Sequence, residues 1–344
     1  RERQAGVIDE IQRAPGLILA LKRAVDDNPQ PGRWLITGSV DLFKTAITPD
    51  SLAGRIDVVE LLPLSQAEIE QGRANAFLNR AFAGDFPGFS ETGFSDNLIE
   101  RVLAGGYPEV FLMSSMKRRQ ERLRIYAKML ALHELPGLMP VRKLNSLAGL
   151  IDHVKEVSGQ LVNLSRLGCV LGVDYKTVDS WLTLLERMFF LKRIPAWHRN
   201  RSRRLVKACK LHFIDSGMLA ALLGVSEKSL QTSRQALGPL LESFVFSEIL
   251  KSRPHHEEPL RITHYRDRNG HEVDFVLEAA DGRTVGLEVK AAASVYPKDL
   301  SGLKKLAEEL GDKFVCGIIL HDGDKMMRVG ERMFALPFRV LWES

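Results

Sequence analysis

Two short apolar runs, each ending in polar residues and separated by one helix-length segment, set the tightest limit on the fold. Val7-Ile8 leads into Asp9-Glu10, and Trp34-Leu35-Ile36 leads into Thr37-Gly38-Ser39. Residues 11–26 between them place Leu17, Leu21 and Val25 at helical spacing, and Pro29 to Gly32 ends that segment. Strand, helix and strand in this order predict a parallel pair covered by the helix. Ser51-Leu52-Ala53-Gly54-Arg55 then leads into residues 56–62, a third strand candidate. Residues 65–138 are mostly helical in pattern, with a loop rich in Gly, Phe and Pro near 84–93.

A second pattern spans residues 145–193. Residues 165–171 predict one helix, Gly172-Val173-Asp174 a turn with Asp174 as N-cap, and 175–187 a second helix. Val178, Trp181, Leu182 and Leu185 form its apolar face, and residues 189–194 are strand-like. This is the arithmetic of a winged helix-turn-helix. A basic stretch follows, with His198, Arg199, Arg201, Arg203, Arg204, Lys207 and Lys210, before a strand over 211–214. The last part predicts a helix over 239–250 and strands over 262–266, 272–277 and 285–289. It closes with a helix over 300–310 and a strand over 314–320. Asp281-Gly282 is a tight-turn signal between two of those strands.

At 344 residues, the chain is long enough for two or three domains. The expected division is 1–140, 141–235 and 236–344, in an α/β multidomain protein. Lys and Arg total 48 against 43 Asp and Glu, a net +5 that permits nucleic-acid contact without requiring it. The 3 cysteines are far apart and form no CxxC pair, which excludes a disulfide framework and a zinc knuckle. No apolar run reaches the roughly 20 residues of a membrane helix, so no membrane partner is expected and the cytoplasm is the expected compartment.

The residues that could carry chemistry are few. Strand alternation puts Val273, Phe275 and Leu277 on one face and Glu272, Asp274 and Val276 on the other. In the next strand Gly286, Glu288 and Lys290 share a face. If the two strands pair through the Asp-Gly turn, Asp274, Glu288 and Lys290 meet. Two carboxylates and a Lys can hold Mg²⁺ and steady a phosphodiester transition state. A solvated outer strand face is the open alternative, and Glu248 reads as a helix-surface charge. The second helix of the helix-turn-helix exposes Tyr175, Lys176, Asp179, Thr183 and Glu186. Asp179 and Glu186 oppose phosphate, so that face suits protein packing better than base readout. Arg201, Arg203, Arg204 and Lys207 are the better footprint for DNA, with a solvated basic loop equally open. His255, His256, His264 and His271 fit no zinc spacing.

Several motifs in order resemble bacterial and archaeal AAA-type P-loop ATPases with a C-terminal domain of unassigned function. They are the Val7 to Pro15 run, Leu35 to Ser39 and Ser51 to Arg55. Gly105-Gly106-Tyr107-Pro108-Glu109, Lys210 to Gly217 and Glu272 to Phe275 continue the series. The resemblance implies a truncated P-loop ATPase core, with Asp9 holding Mg²⁺ and Glu10 activating water. It places Thr37 and Ser39 at the sensor position, and Arg55 near nucleotide or a subunit interface. Asp274, the hairpin and Glu288-x-Lys290 resemble the PD-(D/E)xK restriction-endonuclease-like fold, whose extra acid matches Glu242. Metal ligands implied in all are Asp9, Glu242, Asp274 and Glu288.

Two departures matter. No GxxxxGK[ST] occurs, so nothing in the chain cradles a triphosphate, and ATP is expected as a cofactor only with an upstream phosphate loop. The chain opens on Arg1, and that loop is expected before it. After Tyr126 comes Ala131-Leu132-His133-Glu134, without the Arg-Asp pair the family carries. The expected role is an ATP-dependent, DNA-associated ATPase with a nuclease-like end, without ATPase activity in the chain as it stands. The rival expectations are a non-catalytic regulator or interaction module of a toxin–antitoxin or defence kind, partnered by another protein or by its own copies, and a remnant of a damaged gene.

Overall fold

The computed structural model describes residues 5–39, 52, 54–71, 76–86, 97–130, 144–198, 208–232 and 236–343. Contacts divide the chain into two compact units, Arg1–Leu62 with Ser180–Leu191, and Pro63–Asp179 with Lys192–Ser344.

In the first unit, β1 (Gly6–Ile8) and β2 (Trp34–Ile36) pair in parallel through α1 (Leu17–Asp27), with Val7 opposite Leu35. The helix begins six residues later than the periodicity predicts. Ile11–Arg13 forms a 3-10 turn instead, and Pro15 has no N–H to continue it. The buried stripe is Ile18 and Leu21, packed with Ile11 and Leu52, while Leu17 is 44% exposed. Residues 56–62 form no strand. They find no ladder partner among the described residues, and Val59 and Leu61 stay exposed.

Among the described residues, the second unit opens with five helices: α2 (Gln66–Gln71), α3 (Phe77–Ala83), α4 (Leu98–Ala104), α5 (Pro108–Phe111) and α6 (Met116–Met129). Next come α7 (Leu144–Val154), α8 (Leu164–Leu171) and α9 (Tyr175–Arg187), the last divided between the units. Asn163 caps α8 through the Arg166 N–H at 2.9 Å, and Asp174 caps α9 through the Thr177 N–H at 2.9 Å. The following strand is shorter than expected. Phe189 takes a left-handed conformation at φ 55, so β3 starts only at Leu191 (Leu191–Ile194). It pairs with β4 (Lys210–Phe213). Then come α10 (Ser216–Leu223), α11 (Glu227–Thr232) and α12 (Leu237–Ser252).

The C-terminal sheet contains β5 (Arg261–Arg266), β6 (Glu272–Glu278), β7 (Thr284–Lys290), β8 (Phe314–His321), β9 (Met327–Gly330) and β10 (Met333–Pro337), with α13 (Ser301–Leu310) between β7 and β8. Its order is β5-β6-β7-β8-β10-β9. The β7-β8 and β8-β10 pairs are parallel and the others antiparallel. Strict alternation fails in β6. Thr263 pairs with Val276 but Tyr265 pairs with Val273, so β6 carries one extra residue there. Val273 and Val276 therefore share one core with Leu303 and Leu306 of α13, whereas Phe275 stacks near Phe246 of α12.

Candidate functional site

The parallel ladder brings the ends of β1 and β2 together, and with them Asp9, Glu10, Thr37 and Ser39. The Thr37 hydroxyl donates to Asp9 Oδ1 and accepts the Glu10 N–H at 3.3 Å. Ser39 Oγ donates to Glu10 Oε2 at 3.3 Å, and Gln12 Nε2 donates to both Glu10 Oε2 and Ser39 Oγ. Glu10 sits in the left-handed region at φ 52, ψ 49. For a non-glycine residue that costs on the order of 1 kcal/mol, and such strain concentrates at functional sites. Arg55 is held by Asp26 of α1, Nε to Oδ1 at 2.5 Å. An exposed carboxylate beside a hydroxyl is an oxygen donor set that suits Mg²⁺. Asp9 and Thr37 thus supply oxygen donors of the kind Mg²⁺ takes, and the phosphate-cradling motif GxxxxGK[ST] is absent from the sequence.

The second cluster joins three parts of the second unit. The β6-β7 ladder runs from Glu278 opposite Thr284 to Phe275 opposite Leu287 and stops short of Asp274. Side chains take over from there. The Val289 N–H donates to Asp274 Oδ2 at 2.9 Å, and the Asp274 N–H donates to Glu288 Oε2 at 3.3 Å. Lys290 Nζ lies 3.0 Å from Glu288 Oε1. Lys210 Nζ, from β4, lies 2.9 Å from Asp274 Oδ1 and 3.2 Å from Glu242 Oε2 of α12. One residue beyond the last paired position, Asp274 falls opposite Glu288, as the face parity of the two strands predicts.

Among the described residues, three carboxylates here face two ammonium groups, one acid more than the bases. Burial first, and then the Asp274 charge, push both Glu242 and Glu288 up to about 8. Burial alone would lower Lys210, but Asp274 and Glu242 outweigh it and raise it. All four oxygens of Asp274 and Glu288 already hold protein partners. Among the described residues no group of three or more His, Cys, Asp or Glu side chains is arranged to hold a metal ion. The centre as folded does not fit a divalent cation.

Lys210 is the residue that sequence reasoning missed. It closes a basic stretch and was grouped with it, although its position at the head of a buried strand was a signal. Arg201, Arg203, Arg204 and Lys207 lie outside the described residues, as do Ala131 to Glu134. Asp179 pairs with Arg193. His264 Nε2 meets the Ala208 carbonyl at 3.1 Å, and His271 Nδ1 meets Asp267 at 2.8 Å.

Two ordered motifs prove to be one joint. Asp215 caps α10 through the Met218 N–H at 2.8 Å and accepts the Gly106 N–H at 2.7 Å. A Cβ on Gly105 would stand 2.2 Å from Asp215 Oδ1, and one on Gly217 would stand 2.6 Å from the Ala104 carbonyl. Only glycine lets these segments touch. Glu248 is no surface charge. It is 1% exposed, accepts the Gln66 N–H at 2.9 Å and pairs with Lys251 at 3.4 Å. The reason is that α12 is covered along nearly its whole circumference. No described helix is long and apolar enough to cross a membrane.

Residues 1–70 match the model of an AAA domain. Residues 95–229 and 237–341 match two domains of unknown function, DUF8612 and DUF4143. The uncharacterized proteins Rv2008c of Mycobacterium tuberculosis and Mb2031c of Mycobacterium bovis are each 25% identical over 287 residues, which is 83% of this chain. The chain spans 58% of the length of these relatives. No solved structure matches it. The AAA match and the C-terminal match together indicate an AAA-like, ATPase-associated family.

Proposed function

We propose that the chain belongs to an ATP-dependent, DNA-associated ATPase that carries a winged helix-turn-helix and a nuclease-like C-terminal domain. The observation that carries the ATPase reading is the Asp9, Glu10, Thr37 and Ser39 group at the end of a parallel strand pair. Asp9, oriented by the Thr37 hydroxyl, would hold Mg²⁺. Bound Mg²⁺ supplies charge neutralisation at the phosphates. Glu10, fixed by Ser39 and Gln12, would orient the attacking water. Alone, the chain is expected to show no micromolar site for Mg-ATP by calorimetry, and such a site would count against this assignment. In a chain carrying a phosphate loop ahead of β1, Glu10→Gln should abolish turnover while ATP binding survives. Normal turnover in that variant removes Glu10 from the role.

A non-catalytic interaction module is the second reading for the C-terminal domain. It is favoured by the lysine partners that already fill its carboxylates.

A further inference from the structure

The carboxylates of Glu242 and Asp274 come from α12 and β6, and one ammonium lies between them. Lys210 Nζ is 2.9 Å from Asp274 Oδ1 and 3.2 Å from Glu242 Oε2. Its side chain is 8% exposed. Its backbone is anchored on both sides, because the Val162 N–H donates to the Cys209 carbonyl at 2.9 Å and the Leu211 N–H donates to the Gln160 carbonyl at 3.2 Å. This lysine is built into the sheet and does not reach the carboxylates by chance of a surface rotamer. Buried carboxylates of like charge need a cation between them. Here a covalently held one is supplied.

We propose that Lys210 occupies the cation position of this centre, so that the C-terminal domain is metal-independent as folded. Its carboxylates accept a divalent ion only once the ammonium is removed. This departs from the Mg²⁺ chemistry that the PD-(D/E)xK resemblance implies. It is also separate from the ATPase reading, which rests on residues of the other unit. The chemistry is that of an internally paired centre, since each oxygen of Asp274 and Glu288 already accepts from an ammonium or a backbone N–H.

The test titrates Mn²⁺ into the whole chain, read by electron paramagnetic resonance and by thermal melting. Asp9→Asn is run in parallel to remove any ion held in the first unit. In this background the parent chain is expected to bind no Mn²⁺ and to melt unchanged. Lys210→Met is expected to melt lower, to bind Mn²⁺ saturably, and to recover part of its lost melting temperature when the ion is added. A saturable site in the chain with Lys210 intact, lost in Asp274→Asn, overturns the proposal. So does a folded Lys210→Met protein that ignores Mn²⁺. Should Lys210→Met fail to fold, the Lys210-intact titration decides: a site removed by Asp274→Asn overturns the proposal, and no site upholds it.

Discussion

His212 is fully buried against two rings, with Phe246 at 5.0 Å and Phe275 at 5.2 Å between centroids. Neither of its ring nitrogens has a hydrogen-bond partner among the described residues. Burial first, then the charges of Lys210 and His264, hold its pKa well below the ordinary value. The sign follows from linkage. As pH falls through about 6.5 the unfolded chain binds a proton that the folded chain refuses, so the contribution of His212 is whole above that pH and lost below it. Glu242 and Glu288 act in the opposite sense. Their folded values of about 8 lie above those of an exposed carboxylate, so their contribution is present in acid and lost as pH rises through about 8. A His212→Phe variant isolates the first effect. Urea midpoints should show it gaining on the parent chain as pH drops from neutral to about 5. A constant difference across that range refutes the assignment.

At the scale of elements, the sequence revealed local order and concealed distant partners. The cap at Asp174, the Asp281-Gly282 turn and the parallel pairing of β1 with β2 all rest on neighbours or on apolar period, which residue order displays. The bulge in β6 was hidden, because alternation cannot say where a ladder admits an extra residue. Lys210 was hidden because its partner Asp274 lies 64 residues away. Glu248 was misread because periodicity could not show that α12 is enclosed. That helix supplies its own test. Glu248 and Lys251 have side chains only 1% and 5% exposed, so removing one partner strands a buried charge. Glu248→Ala should lower unfolding free energy by about 3–5 kcal/mol in urea titrations. The double variant Glu248→Met with Lys251→Met should cost clearly less, because neither charge then remains. Equal losses in the single and double variants would show that packing, not charge, is what the pair provides.

For the whole molecule, the charge balance sets a limit on nucleic-acid binding. The net +5 is small, so any DNA affinity must come from locally concentrated cations. The fold removes Lys210 from that group, because its ammonium is committed to Asp274 and Glu242. Arg199, Arg201, Arg203, Arg204 and Lys207 remain as the densest run of positive charge. If they contact phosphates, each neutralised phosphate releases counterions, and log affinity falls with log salt by about 0.9 per contact. Converting Arg201, Arg203 and Arg204 together to Ala should flatten that slope by about 2 to 3 and weaken binding equally for unrelated DNA sequences. Fluorescence anisotropy across a salt series measures both. An unchanged slope moves the contact elsewhere, and a loss confined to one DNA sequence would point to base readout instead. Because Lys210 is held inside the protein, a folded Lys210→Met chain should keep the parent slope. The two variants thus separate the cations that could face DNA from the one that balances the protein's own acids.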